Sequence, residues 1–420
     1  MNVQIVPSAP TGTVKAIASK SAAHRLLICA AFADAPTTIR CEELNEDIRA
    51  TVRCLEALGA TITRDAPYYR ITPIGNPNPN ATLDCGESGS TMRFLVPVVC
   101  MLGVSAKLVM AGRLPNRPLS PLREELERNG IVFSEAGSNP LICTGVVTGT
   151  EFSIPGNVSS QFISGLLFAL AVSGKTGKIR IEGAMESTPY VDMTADALRL
   201  FGIAVLRADN CLEIAENNGL RSPCEAPVEG DWSGAAFPLC MGAIGTKPVT
   251  VRGLDLHSRQ GDRAIVELLR RFGAKVEKGA DHVTVAPAPL HGIRIDASQI
   301  PDLVPVLATV ATVAQGETVI DHAERLRIKE SDRLQTTCAM LTALGADLTE
   351  TKDGLIIRGV PSLTGGQVSS CGDHRIAMSA AVASVACRNS VIIEDAHAAA
   401  KSYPSFWNDM RSLGMKIEEL

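Results

Sequence analysis

Five charged residues of both signs stand within one short stretch of the chain. The stretch "RIKESDRL", residues 327–334, contains Arg327, Lys329, Glu330, Asp332 and Arg333 and precedes the apolar segment "QTTCAMLTALGADL". A solvated helix start would explain it, because Ser and Asp are good N-caps and acidic residues suit the positive end of the helix dipole. The alternative is an anion-binding site, and the elements around the stretch decide between the two.

Cations and hydroxyls also stand at the predicted starts of apolar helices. A cation is unfavourable at the positive end of a helix dipole, whereas an anion is favourable there. An anionic ligand would remove this conflict, so the sequence predicts a site for a small polyanionic molecule. The residues at these starts are Lys20, Ser21 and Arg25, then Ser90 and Arg93, Ser160 and Gln161, Asp302, and Asp373 and Arg375. Loops ahead of the amphipathic helices add Arg117, Tyr190, Lys329, Arg333 and Lys401.

An internal repeat positions these residues. Amphipathic helix ends followed by glycine and a short strand recur about 70 residues apart, as in "LEALGATI", "LRRFGAKV" and "LTALGADL". The pattern predicts that each unit contains, in order, a buried helix, a strand, a loop, an amphipathic helix and a β-hairpin. The glycines of the six copies are Gly59, Gly130, Gly202, Gly273, Gly345 and Gly414. The buried helices are predicted to begin near Ser19, Ser88, Ser159, Asp231, Asp302 and Asp373.

Three such units make one domain of plausible size. The segment "ENNGLRSPCEAPVEG", residues 216–230, contains Pro and Gly and lies at the midpoint of the chain. We therefore expect a first lobe at 19–229 and a second lobe formed by 1–18 and 230–420, with the active site in the cleft between them.

Composition excludes several other classes of protein. The chain has 420 residues, 45% of them hydrophobic, and a net charge of −5, which gives no global reason to bind nucleic acid or a membrane. Twelve cysteines without CxxC spacing and a start without a leader pattern predict a reduced, cytoplasmic protein. The seven histidines show no close-set ligand pairs, so no metal is predicted. We expect a monomer.

Ten motifs, in order along the whole chain, resemble the enolpyruvyl transferases, and within them the enzymes that use shikimate 3-phosphate as acceptor. They are "SKSAAHR", "CGESGSTMR", "NRPLSPL", "SSQFISGLL", "STPYVDMT", "GDWSGAAF", "IPDLVPVLA", "RIKESDRL", "GDHRIAMS" and "AKSYPSF". The resemblance implies a two-lobed α/β (α+β) fold of six βαβαββ-type units, three per lobe, with buried parallel helices. It also implies transfer of the enolpyruvyl group of phosphoenolpyruvate to the 5-hydroxyl of shikimate 3-phosphate, with release of phosphate. The reaction would proceed by addition and elimination through a tetrahedral intermediate, without a cofactor, on the route to chorismate and the aromatic amino acids.

The resemblance also implies a role for individual residues. Asp302 would be the base for the hydroxyl, Glu330 the acid and base at the methylene carbon, and Lys20 a third catalytic residue. Shikimate 3-phosphate would be bound by Lys20, Ser21, Arg25, Ser159, Ser160, Gln161, Ser187, Tyr190, Asp302 and Lys329. Phosphoenolpyruvate would be bound by Lys20, Gly89, Arg93, Arg117, Gln161, Arg333, Arg375 and Lys401. Arg325 departs from the family pattern, since some members have an asparagine there that contacts the acceptor's phosphate.

Two other functions are alternatives to this one. The sister enzymes that load enolpyruvate onto UDP-N-acetylglucosamine carry a cysteine five residues before the arginine equivalent to Arg117, and Gly112 stands at that position here. A ring that encircles nucleic acid could also be built from repeats, but its channel would need an excess of basic residues. The net charge of −5 disfavours it.

Overall fold

The computed structural model describes residues 1–420 and divides into two compact units. The inserted unit is Ala18–Val228, and the composite unit joins Met1–Ile17 to Glu229–Leu420. Each unit has its own hydrophobic core. None of the helices combines the length and the apolar character that a membrane crossing requires.

The elements follow the chain in this order. The composite unit starts with β1 (Val3–Val6) and β2 (Gly12–Lys15). The inserted unit contains α1 (Lys20–Ala31), β3 (Thr37–Arg40), α2 (Glu46–Leu58), β4 (Thr61–Asp65), β5 (Tyr68–Thr72), β6 (Thr82–Gly86), α3 (Gly89–Leu102), β7 (Ala106–Met110), α4 (Leu122–Arg128), β8 (Val132–Phe133), β9 (Leu141–Thr144), β10 (Glu151–Pro155), α5 (Ser160–Ser173), β11 (Gly177–Glu182), α6 (Thr188–Leu200), β12 (Leu206–Ala208), β13 (Cys211–Ile214) and β14 (Glu225–Pro227). The composite unit continues with α7 (Trp232–Ile244), β15 (Val249–Arg252), α8 (Ile265–Phe272), β16 (Lys275–Lys278), β17 (His282–Ala286), β18 (Arg294–Asp296), α9 (Val304–Ala311), β19 (Glu317–Asp321), α10 (Arg333–Ala343), β20 (Asp347–Glu350), β21 (Leu355–Arg358), β22 (Gly366–Ser369), α11 (His374–Ala383), β23 (Val391–Glu394), α12 (Phe406–Ser412) and β24 (Lys416–Glu419). Short 3₁₀ segments lie at Leu114–Asn116, Gly261–Ala264, Pro301–Leu303, Glu324–Ile328, Ser384–Ala386 and Ala396–Lys401.

The strands form six four-stranded sheets with one shared pattern. In the sheet β6-β7-β9-β8, β6 and β7 are parallel and flank the buried helix α3 in sequence, while β9 pairs antiparallel with both β7 and β8. The sheets β10-β11-β13-β12 and β18-β19-β21-β20 repeat this arrangement. The predicted fold class, a mixed α/β protein built from six βαβαββ-type units, is confirmed.

Three sheets are completed by strands that are distant in sequence. β2 precedes the inserted unit in the chain but pairs in parallel with β15, which follows that unit. Likewise, β14 at the end of the inserted unit pairs in parallel with β3 near its start. β1 lies between β23 and β24, so the first strand completes the last sheet. With these pairings, each unit contains three four-stranded sheets.

Five of the six buried helices begin at the residue that the sequence indicates. The side chains of Ser19, Ser88, Ser159, Asp231 and Asp373 each accept a hydrogen bond from a backbone N–H in the first turn of the helix that follows. The fifth copy differs, because Asp302 lies inside the 3₁₀ turn Pro301–Leu303 and α9 starts only at Val304. The Asp302 carboxylate therefore does not serve as an N-cap and makes other bonds.

Candidate active site

One buried guanidinium joins three carboxylates in the composite unit. The side chain of Arg333, the first residue of α10, is 2% exposed. Its Nε donates to Asp373 Oδ2 at 2.8 Å, its Nη1 to Asp302 Oδ1 at 2.9 Å and its Nη2 to Glu330 Oε2 at 2.8 Å. We call Asp302, Glu330, Arg333, Asp373 and Arg375 the arginine–carboxylate cluster. It brings together four of the predicted site residues.

Arg375 closes the cluster from the start of α11. Its Nη2 lies 3.1 Å from Asp302 Oδ2, and its Nη1 donates to the Asp302 carbonyl at 3.0 Å. Asp373, the N-cap of α11, accepts from the Arg375 backbone N–H at 2.9 Å and from Ser331 Oγ at 3.0 Å. Both oxygens of Asp302 thus face a guanidinium, and three loops are fixed relative to one another.

The cations control the ionisation of the buried acids. Burial alone would raise the pKa of Asp302, but the charges of Arg375, Lys329 and Arg333 outweigh it and hold the pKa well below its usual range. The pKa of Asp373 is lowered in the same way, because the charge of Arg333 outweighs the effect of burial. Asp262 behaves in the opposite sense, since burial and the negative charge of Asp302 raise its pKa to about 7.

The stretch "RIKESDRL" combines structural and site residues. Arg327 donates to the carbonyls of Lys352 and Thr351 at 3.0 and 2.7 Å and to Glu350 at 2.7 Å, so it attaches the stretch to the hairpin β20–β21. Asp332 is the N-cap of α10 and accepts from the backbone N–H of Gln335. The helix-cap explanation holds for Asp332, whereas Glu330 and Arg333 are members of the arginine–carboxylate cluster and Lys329 lowers the pKa of Asp302. Anion binding by the stretch stays a prediction.

In the inserted unit, a second group of site residues gathers at the N-termini of α3 and α5. Arg93 Nη1 donates to Gln161 Oε1 at 2.8 Å, and Gln161 Nε2 donates to Ser90 Oγ at 2.8 Å. A Cβ atom on Gly89 would lie 2.9 Å from Nη1 of Arg117 and 3.4 Å from Nη1 of Arg93. With any other residue at position 89, the Arg117 guanidinium would have to move away from the start of α3.

A third group of predicted residues in this unit surrounds α1. Lys20, its first residue, forms an ion pair with Asp47 Oδ2 at 2.8 Å. Arg25 is buried and donates to Thr194 Oγ1 at 2.9 Å and to the carbonyls of Ser21 and Tyr190 at 2.6 and 2.7 Å. Burial lowers the pKa of Arg25 to about 10. These bonds join α1 to α6.

Four predicted residues lie at the ends of helices or 3₁₀ segments. Ser159 caps α5 and Ser160 is its first residue, whereas Ser187 precedes α6 in a left-handed conformation with φ of 52°. Lys401 ends the 3₁₀ segment Ala396–Lys401. Arg325, which departs from the family pattern, donates to the Ser298 carbonyl at 2.9 Å on the loop that leads to Asp302.

The residue roles assigned from the sequence left out three acidic residues next to the predicted ones. Asp47 pairs with Lys20, Asp373 shares Arg333, and Asp262 lies buried near Asp302. Asp373 had a usable signal, since it stands at a predicted helix start, but nothing local distinguishes Asp47 or Asp262. Close ligand atoms also occur at Asp296, Asp321 and His322, a grouping that the spacing of the histidines does not reveal.

Comparisons with known proteins identify the family of the chain. A family model described as EPSP synthase (3-phosphoshikimate 1-carboxyvinyltransferase) matches residues 6–410. The chain is 42% identical over 416 residues to a 3-phosphoshikimate 1-carboxyvinyltransferase of Clostridium perfringens, with 98% of each chain covered. A relative of that name from Clostridium kluyveri is 42% identical over 423 residues, covering 99% of this chain and 98% of the relative.

Solved structures of an EPSP synthase and of another enolpyruvyl transferase share the fold of this chain. EPSP synthase from Acinetobacter baumannii superposes with a TM-score of 0.83 at 25% identity over 100% of both chains. The enolpyruvyl transferase NikO from Streptomyces tendae, at 19% identity and a TM-score of 0.77, shares the fold over 99% of this chain and 98% of its own. These findings do not favour the UDP-N-acetylglucosamine alternative. The chain belongs to the EPSP synthase family, the 3-phosphoshikimate 1-carboxyvinyltransferases.

Proposed function

We propose that the chain transfers the enolpyruvyl group of phosphoenolpyruvate to the 5-hydroxyl of shikimate 3-phosphate and releases phosphate. The observation that carries this proposal is the arginine–carboxylate cluster, in which Arg333 holds both Asp302 and Glu330. The reaction needs a group that removes the hydroxyl proton and a group that protonates the methylene carbon, and then takes that proton back during elimination. Two carboxylates attached to one rigid guanidinium fit these duties.

Asp302 is proposed as the base for the hydroxyl. It is ionised at neutral pH, because Arg375, Lys329 and Arg333 lower its pKa. The same cations would bind substrate phosphate and carboxylate groups. Once substrate anions compensate their charge, the pKa of Asp302 rises and the carboxylate becomes a stronger base. Substrate binding would thus activate the base.

Glu330 is proposed as the acid and base at the methylene carbon, with Lys20 as a third catalytic residue. Glu330 is 15% exposed, and its Oε2 atom is bound to Arg333 Nη2. Lys20 is paired with Asp47, which holds the ammonium group at the start of α1. Exchange of Asp47 for a substrate anion would leave the lysine cation in place.

The anion-binding residues are proposed as two sets. Guanidinium groups suit phosphate and carboxylate because their planar fork can make two parallel hydrogen bonds. We assign phosphoenolpyruvate to Lys20, Gly89, Arg93, Arg117, Gln161, Arg333, Arg375 and Lys401. We assign shikimate 3-phosphate to Lys20, Ser21, Arg25, Ser159, Ser160, Gln161, Ser187, Tyr190, Asp302 and Lys329. Both units would therefore contribute residues to the reaction.

We further propose that the protein acts in the cytoplasm as a monomer, with these two small molecules as its substrates. All twelve cysteines are free thiols, which suits a reducing compartment. Size-exclusion chromatography with light scattering measures the oligomeric state, and a mass of 44.4 kDa is expected for a monomer.

The experiment that tests the proposed function is an acceptor-dependent assay. Phosphate release from phosphoenolpyruvate is followed with shikimate 3-phosphate, with unphosphorylated shikimate and with UDP-N-acetylglucosamine. Turnover with shikimate 3-phosphate alone is expected. Turnover with the sugar nucleotide would refute the proposal.

A further inference from the structure

A chain of buried hydrogen bonds connects α1 to the N-cap of α3. His24 Nδ1 lies 2.7 Å from Thr51 Oγ1, and Thr51 Oγ1 lies 2.7 Å from Thr91 Oγ1. Thr91 Oγ1 in turn donates to Ser88 Oγ at 2.7 Å. The four residues are at most 1% exposed. The chain thus runs from the helix that carries Lys20 to the residue before Gly89.

The direction of each bond in the chain follows from counting protons. A hydroxyl group has one proton to donate. Thr91 Oγ1 is the donor toward Ser88 Oγ at 2.7 Å and, at the longer distance of 3.4 Å, toward the backbone carbonyl of Asp47. Because its one proton is used in these bonds, and mainly in the shorter one, the bond between Thr51 and Thr91 must use the proton of Thr51. The bond between His24 and Thr51 must then use a proton on His24 Nδ1. All the protons therefore point along the chain toward Ser88.

The state of His24 agrees with this direction. Burial, together with Lys20 and Arg25, lowers its pKa to about 3 against the opposing charge of Asp47, so the imidazole is neutral near pH 7. Its Nε2 is buried without a hydrogen-bond partner. A proton on Nδ1 leaves Nε2 as an unpaired acceptor, which costs less than an unpaired N–H group. The neutral Nδ1–H tautomer satisfies both conditions.

Ser88 Oγ accepts two hydrogen bonds, both from Thr91. Its Oγ accepts from the Thr91 hydroxyl and, at 3.3 Å, from the Thr91 backbone N–H, so both lone pairs are used. The remaining proton of Ser88 must point away from Thr91. A buried donor is costly to leave unpaired. The oxygen stands at the positive end of α3, next to Gly89, where the guanidinium groups of Arg93 and Arg117 also lie.

We infer that the Ser88 hydroxyl donates a hydrogen bond to an anionic oxygen of phosphoenolpyruvate, and that His24, Thr51 and Thr91 are positioning residues that hold Ser88 in this donor orientation. This inference rests on the proposed function, because it places phosphoenolpyruvate at the start of α3. It adds a neutral donor to the cations that bind phosphoenolpyruvate. The tautomer of His24 then sets the direction in which the hydroxyl groups of Thr51, Thr91 and Ser88 donate.

The first test is kinetic. Ser88→Ala and Ser88→Gly remove the donor and should raise KM for phosphoenolpyruvate about 10-fold or more, the usual effect of losing a hydrogen bond to a charged group. KM for shikimate 3-phosphate should stay within about twofold. Glycine is nearly as good an N-cap as serine, so the Gly variant separates loss of the donor from loss of the cap. Ser88→Thr keeps the hydroxyl and should restore the wild-type KM.

A matched pair of variants tests the positioning role. Thr51→Val breaks the chain without touching the ligand and should raise KM for phosphoenolpyruvate about threefold, since Ser88 keeps its hydroxyl but loses its fixed direction. Thr37→Val removes another buried hydroxyl of the same unit, which is bonded to Ser222 Oγ at 2.8 Å, and should leave KM unchanged. Equal effects of the two variants would reduce the role of Thr51 to stability and overturn the positioning claim.

The second test does not depend on turnover. Long-range ¹H–¹⁵N correlation spectra of histidine-labelled protein distinguish the two tautomers, and His24→Asn identifies the signal. A neutral Nδ1–H tautomer between pH 5.5 and 8 is expected. A proton on Nε2, or a charged ring at pH 6, would overturn the inference. Unchanged KM in folded Ser88→Ala and Ser88→Gly would also overturn it. If the wild-type protein does not release phosphate from phosphoenolpyruvate, the proposed function fails. The measured tautomer of His24 still shows in that case whether the buried hydrogen bonds point toward Ser88.

Discussion

Substitution of Glu330 by glutamine separates proton transfer from structure at this site. The glutamine amide oxygen can still accept the bond that Arg333 Nη2 makes to Glu330 Oε2 at 2.8 Å. A charge-assisted bond becomes an ordinary one, at a cost of about 1 kcal/mol, while Asp302 and Asp373 continue to hold Arg333. Folding and substrate binding should therefore persist. Loss of the carboxyl proton carrier should reduce turnover by about 10²–10⁴-fold, the usual contribution of general acid–base catalysis.

Isotope exchange is the sharpest assay for this variant. Protonation of the methylene carbon creates a transient methyl group, so solvent deuterium enters phosphoenolpyruvate that returns from the intermediate. Mass spectrometry of phosphoenolpyruvate recovered from partial reactions in D₂O should show exchange with the wild-type protein and strongly suppressed exchange with Glu330→Gln. Glu324→Gln is the matched control, because Glu324 lies on the preceding 3₁₀ segment with 65% of its side chain exposed. Exchange at the wild-type rate in Glu330→Gln would refute the role of Glu330.

Three further outcomes follow from the same contacts. Arg117→Ala should weaken phosphoenolpyruvate binding by about 1.5–3 kcal/mol and spare binding of shikimate 3-phosphate alone; equal losses for both ligands in calorimetry would contradict the assignment. Arg333→Met should lower the free energy of unfolding by about 3–5 kcal/mol, because buried carboxylates lose their counter-ion, whereas Arg358→Met, at a 58% exposed position, should cost less than about 1 kcal/mol. Asp262→Asn removes a carboxyl whose pKa is raised from 3.8 to about 7. The folded wild-type protein keeps a proton that the unfolded chain releases, so the stabilisation it brings is lost as pH rises from about 4 to 7. Urea unfolding should therefore show the variant gaining stability relative to wild type across that interval and no further gain above it, and a pH-independent difference would be inconsistent with the raised pKa.

The sequence predicted local structure well because repeats carry local signals. Ser19, Ser88 and Ser159 are N-caps in the structure, as the pattern of small polar residues before apolar runs indicated. Asp302 occupies the corresponding position of its repeat but is bonded to Arg333 and Arg375 instead. Pro301 and Pro305 lie on either side of it, and the 3₁₀ turn that contains Asp302 moves the helix start to Val304.

The partners of the site residues could not be predicted, because they come from distant segments. The pair Lys20–Asp47 spans 27 positions, and Arg333 reaches Asp373 across 40. Strand β2 joins β15, and no local pattern encodes that choice. The charge conflict at helix starts led to the prediction of an anion site, and the structure shows that protein carboxylates such as Asp47 and Asp302 accompany these cations. Any anion that binds at these cations would therefore displace or share an existing ion pair.

The measurement that tests the central claim most directly is phosphate release from phosphoenolpyruvate with and without shikimate 3-phosphate. The purified chain should release phosphate only when both compounds are present, and mass spectrometry should find the acceptor heavier by one enolpyruvyl group. Phosphate release without any acceptor, or no release with both substrates present and the protein folded, would contradict the account.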